Sequence, residues 1–218
     1  MITEDLFSAC ETRLPGLEPL CAGAMVLRGF AAREAPELLQ QVAEVVHRAP
    51  WRHMLTPGGL RMSVGMTNCG ALGWVSDRRG YRYDALDPDS GRPWPAMPSS
   101  FARIASAGAA RAGYAGFVAD ACLINCYEPG NRLSLHQDRN ERDYSQPIVS
   151  VSLGLPAVFQ FGGLQRAHRT LRLPLAHGDV VVWGGPARMR YHGVLPLAHG
   201  THPATGSCRI NLTFRRAG

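Results

Sequence analysis

The chain has no lysine. All 23 of its basic residues are arginine, set against 17 acidic ones, for a formal net charge of +6. Genomic base composition is the plain cause of such a bias. Its physical consequence stands regardless, because forked guanidinium donors fit carboxylates and phosphates in a way an ammonium does not, and a basic surface favours polyanions such as nucleic acid. Charge overall is scarce, at 18% of residues against 45% hydrophobic. That balance excludes a disordered polyelectrolyte and leaves enough apolar material for a core. No apolar run approaches the ~18 residues that span a bilayer, and the opening MITEDLFSAC lacks the basic-then-apolar profile of a secretory leader. The six cysteines include no C-x-x-C pair; Cys122 and Cys126 read as small buried side chains rather than zinc ligands or a disulfide. The expectation is a soluble, cytoplasmic, monomeric protein without a membrane partner, formed as one domain over 1–218.

What is abundant is turn-forming residues, 24 glycines and 16 prolines, which suit a β-rich fold. Residues 1–20 read as a loose arm and 24–28 as a first strand. Over 33–49, Leu38, Leu39, Val42, Val45 and Val46 recur at spacings of three and four, an amphipathic helix. A second helix opens at Pro98-Ser99-Ser100 and runs to about Gly113. Beyond residue 118 the pattern turns to strands at short spacing: 121–127, 131–138, 148–155, 157–161, 169–175, 179–183, 191–197 and 208–215. Eight short strands separated by Gly, Pro and Asp predict a sandwich or jelly roll, giving a mainly β fold with flanking helices (α+β).

The stretch 56–95 interleaves glycines, among them Gly58, Gly59, Gly65, Gly70, Gly73 and Gly80, with Trp74, Tyr81, Tyr83, Trp94, Arg61, Arg78, Arg79 and Arg82. It reads either as a lid that stacks on bases and binds anions, or as a loop anchored to the core by its aromatics.

His136-Gln137-Asp138 closes a predicted strand, where residues two apart share a face. An imidazole and a carboxylate so placed can grip one metal, and a second histidine completes the two-His, one-carboxylate triad of non-haem Fe(II) oxygen chemistry. His192, in Arg190-Tyr191-His192-Gly193, is the candidate. A second H-x-D, His177-Gly178-Asp179, is set aside: Gly178-Asp179 is turn chemistry leading into VVVW, and His192 follows only one strand and a turn later. His47, His53, His168, His199 and His202 are expected at the surface.

In CRINLTFR (208–215), Arg209, Asn211, Thr213 and Arg215 share one strand face, and Ile210, Leu212 and Phe214 the other. Two inward arginines are costly unless paired, and one small dicarboxylate could satisfy both, a bidentate pair at each end. Asn125 and Tyr127 share a face of 121–127 and can add neutral hydrogen bonds.

With these residues in view, the sequence resembles the bacterial AlkB family of Fe(II)/2-oxoglutarate-dependent nucleic-acid dealkylases. The likeness runs from about Pro19 to Phe214, through MLTPGG, MSVGMTNCG, LGW, WPAMP, LSLHQD, PIVSVSLGLPAVFQFGG, HGDVVVWGG and NLTFR. It implies a double-stranded β-helix at 118–218 with a nucleotide-recognition lid at 56–95. It implies Fe(II) held by His136, Asp138 and His192, with O2 and 2-oxoglutarate as co-substrates. Arg209 is implied to pair with the distal carboxylate of 2-oxoglutarate, helped by Asn211 and Tyr127, with Arg215 and Asn125 near the other end. Trp74, Tyr81, Tyr83 and Arg166 match substrate-contacting positions. Asn140 departs from the pattern, standing where an acidic residue lies near the flipped base in the family's best-known bacterial member. The implied reaction removes methyl groups from 1-methyladenine and 3-methylcytosine in single- or double-stranded DNA, with RNA as a further candidate, and releases formaldehyde, succinate and CO2. The alternatives are a related hydroxylase of a small molecule or protein, and a non-catalytic cupin-like metal binder. Trp74 with its arginines speaks against the first, and Arg209 with Arg215 against the second.

Overall fold

The computed structural model describes residues 16–218. In chain order the elements are β1 (Gly16–Cys21), β2 (Ala24–Arg28), α1 (Ala35–Arg48), β3 (Gly65–Gly70), β4 (Gly73–Asp77), β5 (Gly80–Asp84), α2 (Ser99–Arg111), β6 (Ala121–Tyr127), β7 (Leu133–His136), β8 (Ile148–Gly154), β9 (Ala157–Phe161), β10 (Leu171–Leu175), β11 (Val180–Trp183), β12 (His192–Val194) and β13 (Arg209–Arg215). A seven-stranded sheet has the order β1-β2-β11-β8-β13-β6-β3, a four-stranded sheet the order β10-β9-β12-β7, and β4-β5 form a separate hairpin. This is the expected jelly roll with two helices.

Two apolar layers hold it together. One lies between the helices and the large sheet, where Leu38, Val42 and Val45 of α1 and Phe101 and Ile104 of α2 meet Ile124, Val149, Val180, Val182, Leu212 and Phe214. The other lies between the two sheets, where Val26, Ile148, Val181 and Trp183 meet Phe159, Phe161, Leu173 and Val194. Each fully buried Val, Leu or Phe contributes roughly 1.5–3 kcal/mol. The run Val180–Trp183 is apolar without alternation because both of its faces are covered.

All eight strands expected beyond residue 118 form, with trimmed ends. Three expectations need correction. Of the loose arm placed at 1–20, residues 1–15 lie outside the described residues, and 16–20 instead belong to β1, which pairs with β2. Pro19 is tolerated there because β1 is the sheet edge. The stretch 56–95 is not one loop: 65–70 form β3, paired to β6 at the opposite edge, and 73–84 form a hairpin. His202 is not a free surface residue, because its ring stacks on His177 at 4.5 Å.

His177-Gly178-Asp179 serves the fold. Asp179 accepts hydrogen bonds from Arg28 Nη1 (2.7 Å), Gly29 N (2.8 Å) and Ala176 N (3.0 Å). His177 Nδ1 accepts from Gly154 N at 2.9 Å, and Gly178 takes a left-handed φ of 85°. Removing one partner of a buried ion pair strands the other, so Asp179→Ala should cost about 3–5 kcal/mol in urea unfolding, while metal affinity measured in the folded variant stays that of the parent.

Candidate active site

The register of the small sheet builds the centre. β12 pairs with β7 so that His192 lies directly opposite His136, and their ring centroids are 4.4 Å apart. Gly193 allows this closeness, since a Cβ there would lie 2.7 Å from the Leu133 carbonyl oxygen. β7 ends at His136, so Asp138 sits just past the strand rather than on it. Its carboxylate still turns back to the pair: Oδ1 lies 3.6 Å from His136 Nε2 and Oδ2 3.8 Å from His192 Nε2. One ligand atom from each of the three falls within 4.8 Å of the others.

Both imidazoles are aimed by the backbone. His136 Nδ1 meets the Ser134 carbonyl at 2.8 Å and His192 Nδ1 the Arg190 carbonyl at 3.1 Å. With Nδ1 donating, each Nε2 presents a lone pair to the shared centre, the usual second-sphere support of a metal-binding histidine. Burial first, then His136, push the His192 pKa down to about 3 against the opposing pull of Asp138, which keeps the ring neutral and able to ligate. Burial would raise the pKa of Asp138, but Arg215 and then the two histidines hold it well below the ordinary carboxylate range. A pre-aimed imidazole pair with an ionised carboxylate is the donor set that fits Fe(II).

β13 supplies the next layer, with the face assignment expected of it: Ile210, Leu212 and Phe214 pack toward the helices, while Arg209, Asn211, Thr213 and Arg215 line a cavity of about 760 Å³ between the sheets. The two arginines differ. Arg209 is 1% exposed; Nη2 donates to Ser152 Oγ at 2.9 Å, Tyr127 lies beneath it at 5.0 Å, and among the described residues Nε and Nη1 have no partner. Burial lowers its pKa, with Tyr127 opposing. A buried cation with two idle donors calls for an anion. Asn125 Oδ1 is also unpartnered, and its Nδ2 donates to Asn211 Oδ1 at 3.4 Å. Arg215, by contrast, already has a carboxylate: Nη2 and Nε donate to Asp138 Oδ2 at 2.6 and 2.9 Å. The expectation that one dicarboxylate satisfies both arginines is thus corrected, because Asp138 neutralises the second.

The stretch 56–95 divides its aromatics between both readings. Trp94 is the anchor, 4% exposed, with Nε1 donating to the Asp84 carbonyl at 3.0 Å. Trp74 and Tyr81 stack at 5.7 Å and 14° and both line the cavity. Trp74 Nε1 donates to Asn140 Oδ1 at 3.3 Å, and Asn140 Nδ2 to the Tyr81 carbonyl at 3.4 Å. Arg61 and Arg166 also line the cavity, the latter over the Tyr191 ring at 5.2 Å. Tyr83 is not on the wall with them: its hydroxyl donates to Glu141 Oε1 at 2.7 Å. Arg79 and Arg82 pair with Asp77 rather than standing free for an anion.

Residues 23–215 match the 2OG-Fe(II) oxygenase superfamily. The chain belongs to it, in the bacterial AlkB family. It is 56% identical over 214 residues to the alpha-ketoglutarate-dependent dioxygenase AlkB of Escherichia coli (strain K12), covering 98% of each chain. It is 44% identical over 181 residues to the AlkB homolog of Caulobacter vibrioides (strain NA1000 / CB15N), covering 83% of this chain and 80% of that one. The solved structure of OsALKBH1 superposes with a TM-score of 0.80 at 26% identity, covering 92% of this chain and 100% of that one. This AlkB-family chain is therefore an Fe(II)- and 2-oxoglutarate-dependent dioxygenase, using dioxygen as the oxidant. Among the described residues no helix is long and apolar enough to cross a membrane.

Sequence reasoning did not find Glu141 or Arg188. Glu141 lies three residues past Asp138, and its side chain is 2% exposed; Arg188 Nη2 donates to its Oε2 at 2.9 Å and Nη1 to the Asp138 carbonyl at 2.8 Å. The only sequence signal was an acid inside an arginine-rich, otherwise loop-like run. For the arginine that is unpaired, Arg209→Ala should raise the 2-oxoglutarate concentration needed for half-maximal turnover steeply, since truncating a buried charge-assisted pair typically costs ~2–5 kcal/mol. Titrating 2-oxoglutarate against turnover checks this, and an unchanged requirement would move Arg209 out of the site.

Proposed function

We propose that the enzyme removes methyl groups from N-alkylated bases in nucleic acid, 1-methyladenine and 3-methylcytosine foremost, by direct reversal of the damage. The observation that carries this reading is the convergence in one cavity of the His136–Asp138–His192 cluster, a buried guanidinium with idle donors, and the stacked Trp74–Tyr81 pair. The residues have separate tasks. His136, Asp138 and His192 would hold Fe(II), which supplies the coupled oxidation of 2-oxoglutarate and of the substrate methyl group by O2. Arg209, with Asn211 and Tyr127, would seat the far carboxylate of 2-oxoglutarate; Asn125 and Arg215 would border its other end. The aromatic pair would take the face of a base turned out of the stack, because a base inside a duplex cannot reach the cluster. Methylated adenine and cytosine are cationic, which favours an aromatic wall. Arg166 would meet the sugar-phosphate chain at the rim. The hydroxylated methyl group then leaves as formaldehyde. The proposal includes a monomeric cytoplasmic enzyme in one domain, with DNA as substrate and RNA open to test.

A 3-methylcytosine oligonucleotide should yield one formaldehyde per succinate, and only when 2-oxoglutarate is present. Succinate without formaldehyde would favour a different substrate class. Trp74→Ala should weaken binding of that oligonucleotide by roughly 1–3 kcal/mol, the worth of one base–aromatic stack, and spare Mn(II) binding.

Asn140 touches both Trp74 and Tyr81 and offers a neutral amide where a carboxylate would add charge. A charged acceptor is roughly twice as strong as a neutral one. Asn140→Asp should therefore raise the ratio of kcat/KM for cationic 3-methylcytosine over neutral 1-methylguanine. An unchanged ratio would show that residue 140 does not read the base.

A further inference from the structure

We propose that Glu141 is a positioning residue that latches the β4–β5 hairpin, through Tyr83, to the Asp138–Arg215 pair. It thereby sets the wall for the base and the metal-facing carboxylate in one operation. This rests on the reading of His136, Asp138 and His192 as the metal site.

The geometry joins three parts of the fold at one carboxylate. Tyr83, on β5, donates its hydroxyl to Glu141 Oε1 at 2.7 Å. The Nε of Arg215, from β13, lies 3.4 Å from the same oxygen while donating to Asp138. Arg188 holds the other oxygen and, with a second nitrogen, the main chain of Asp138 itself. Burial keeps the phenol of Tyr83 protonated, against the pull of Arg215, so it is the donor in this contact.

Asn68 fixes β4 by exchanging two hydrogen bonds of 3.0 Å with the backbone of Trp74. Among the described residues β5 pairs with no strand other than β4; from outside the hairpin its backbone is held by Asn140 Nδ2 on the Tyr81 carbonyl (3.4 Å) and Trp94 Nε1 on the Asp84 carbonyl (3.0 Å), and Tyr83 ties it to a buried carboxylate. Tyr83 lies directly across from Trp74 in the ladder, and Tyr81 stacks on Trp74. Fixing the Tyr83 hydroxyl therefore fixes the strand that carries Tyr81, and fixes it to the group that aims Asp138. A carboxylate with no role beyond balancing charge would need Arg188 and Arg215 alone. The third contact, from a separate hairpin, is what assigns coupling to it.

The test is Tyr83→Phe, which removes one oxygen and keeps the ring. The KM for a 3-methylcytosine oligonucleotide should rise about tenfold, the scale set by losing a hydrogen bond to a charged group. The kcat at saturation and the Mn(II) affinity, read by electron paramagnetic resonance, should stay within about twofold. Amide hydrogen exchange at 80–84 should quicken. Combining Tyr83→Phe with Glu141→Ala should raise KM no further than Glu141→Ala alone, because the two act through one contact. An unchanged KM in Tyr83→Phe, or additive effects in the double variant, would overturn the latch. His136→Ala, assayed for Mn(II) alongside, separates the two readings. Retained Mn(II) affinity there would count against the metal site, whereas an unchanged KM in Tyr83→Phe counts against the latch alone.

Discussion

A guanidinium and a carboxylate buried together in the waist of a β-sandwich must answer each other, and the Asp138–Arg215 pair does so here. Their side chains are 9% and 7% exposed. Either one alone would carry a desolvation penalty of several kcal/mol. Paired, they permit an ionised carboxylate to face two imidazoles, which apolar packing could not provide. The pair is extended by Glu141 and Arg188, so two acids and two bases share one buried network with no net formal charge.

The sandwich accommodates this polar centre because β13 has two characters. Its apolar side seals against α1 and α2 through Ile210, Leu212 and Phe214. Its polar side is matched by β8, where Asn211 Nδ2 donates to Ser150 Oγ (2.8 Å) and Arg209 to Ser152 Oγ, and within β13 itself, where Thr213 Oγ1 donates to Asn211 Oδ1 (2.9 Å). The exception is the free side of Arg209. Protein interiors satisfy most of their polar groups, and among the described residues Arg209 is the one side chain with two unpartnered buried atoms; two idle guanidinium donors beside an open cavity mark where an anionic co-substrate belongs.

Much of this was legible in the sequence where chemistry and period coincide. The period of two along CRINLTFR separated the polar face of β13 from its apolar face. The spacing of His136 and Asp138, with His192 downstream, pointed to one centre, and the turn chemistry at Gly178-Asp179 offered the other H-x-D a plain structural role. What was not legible depends on contacts distant in sequence. Arg28 pairs with Asp179 across 151 positions, and nothing local marks it. β3, GMTNCG, shows no alternation because both of its faces are buried. Nothing local marks Glu141 either, since its three partners come from β5, β13 and the segment before β12. The aromatics of 56–95 could not be sorted by type: Trp94 and Trp74 differ only in what lies beside them, Gly73 and the Asp84 carbonyl for the first, the open cavity for the second.

The central claim is that one cavity brings together a His136–Asp138–His192 iron site and an Arg209 anchor for the oxo acid. Anaerobic addition of 2-oxoglutarate to the Fe(II)-loaded protein, followed by visible absorption, tests it most directly. The account predicts a charge-transfer band of the chelated 2-oxo acid that saturates at one equivalent per chain, vanishes in His192→Ala and persists in His177→Ala. A band that survives His192→Ala, or that is lost in a folded His177→Ala, would contradict it.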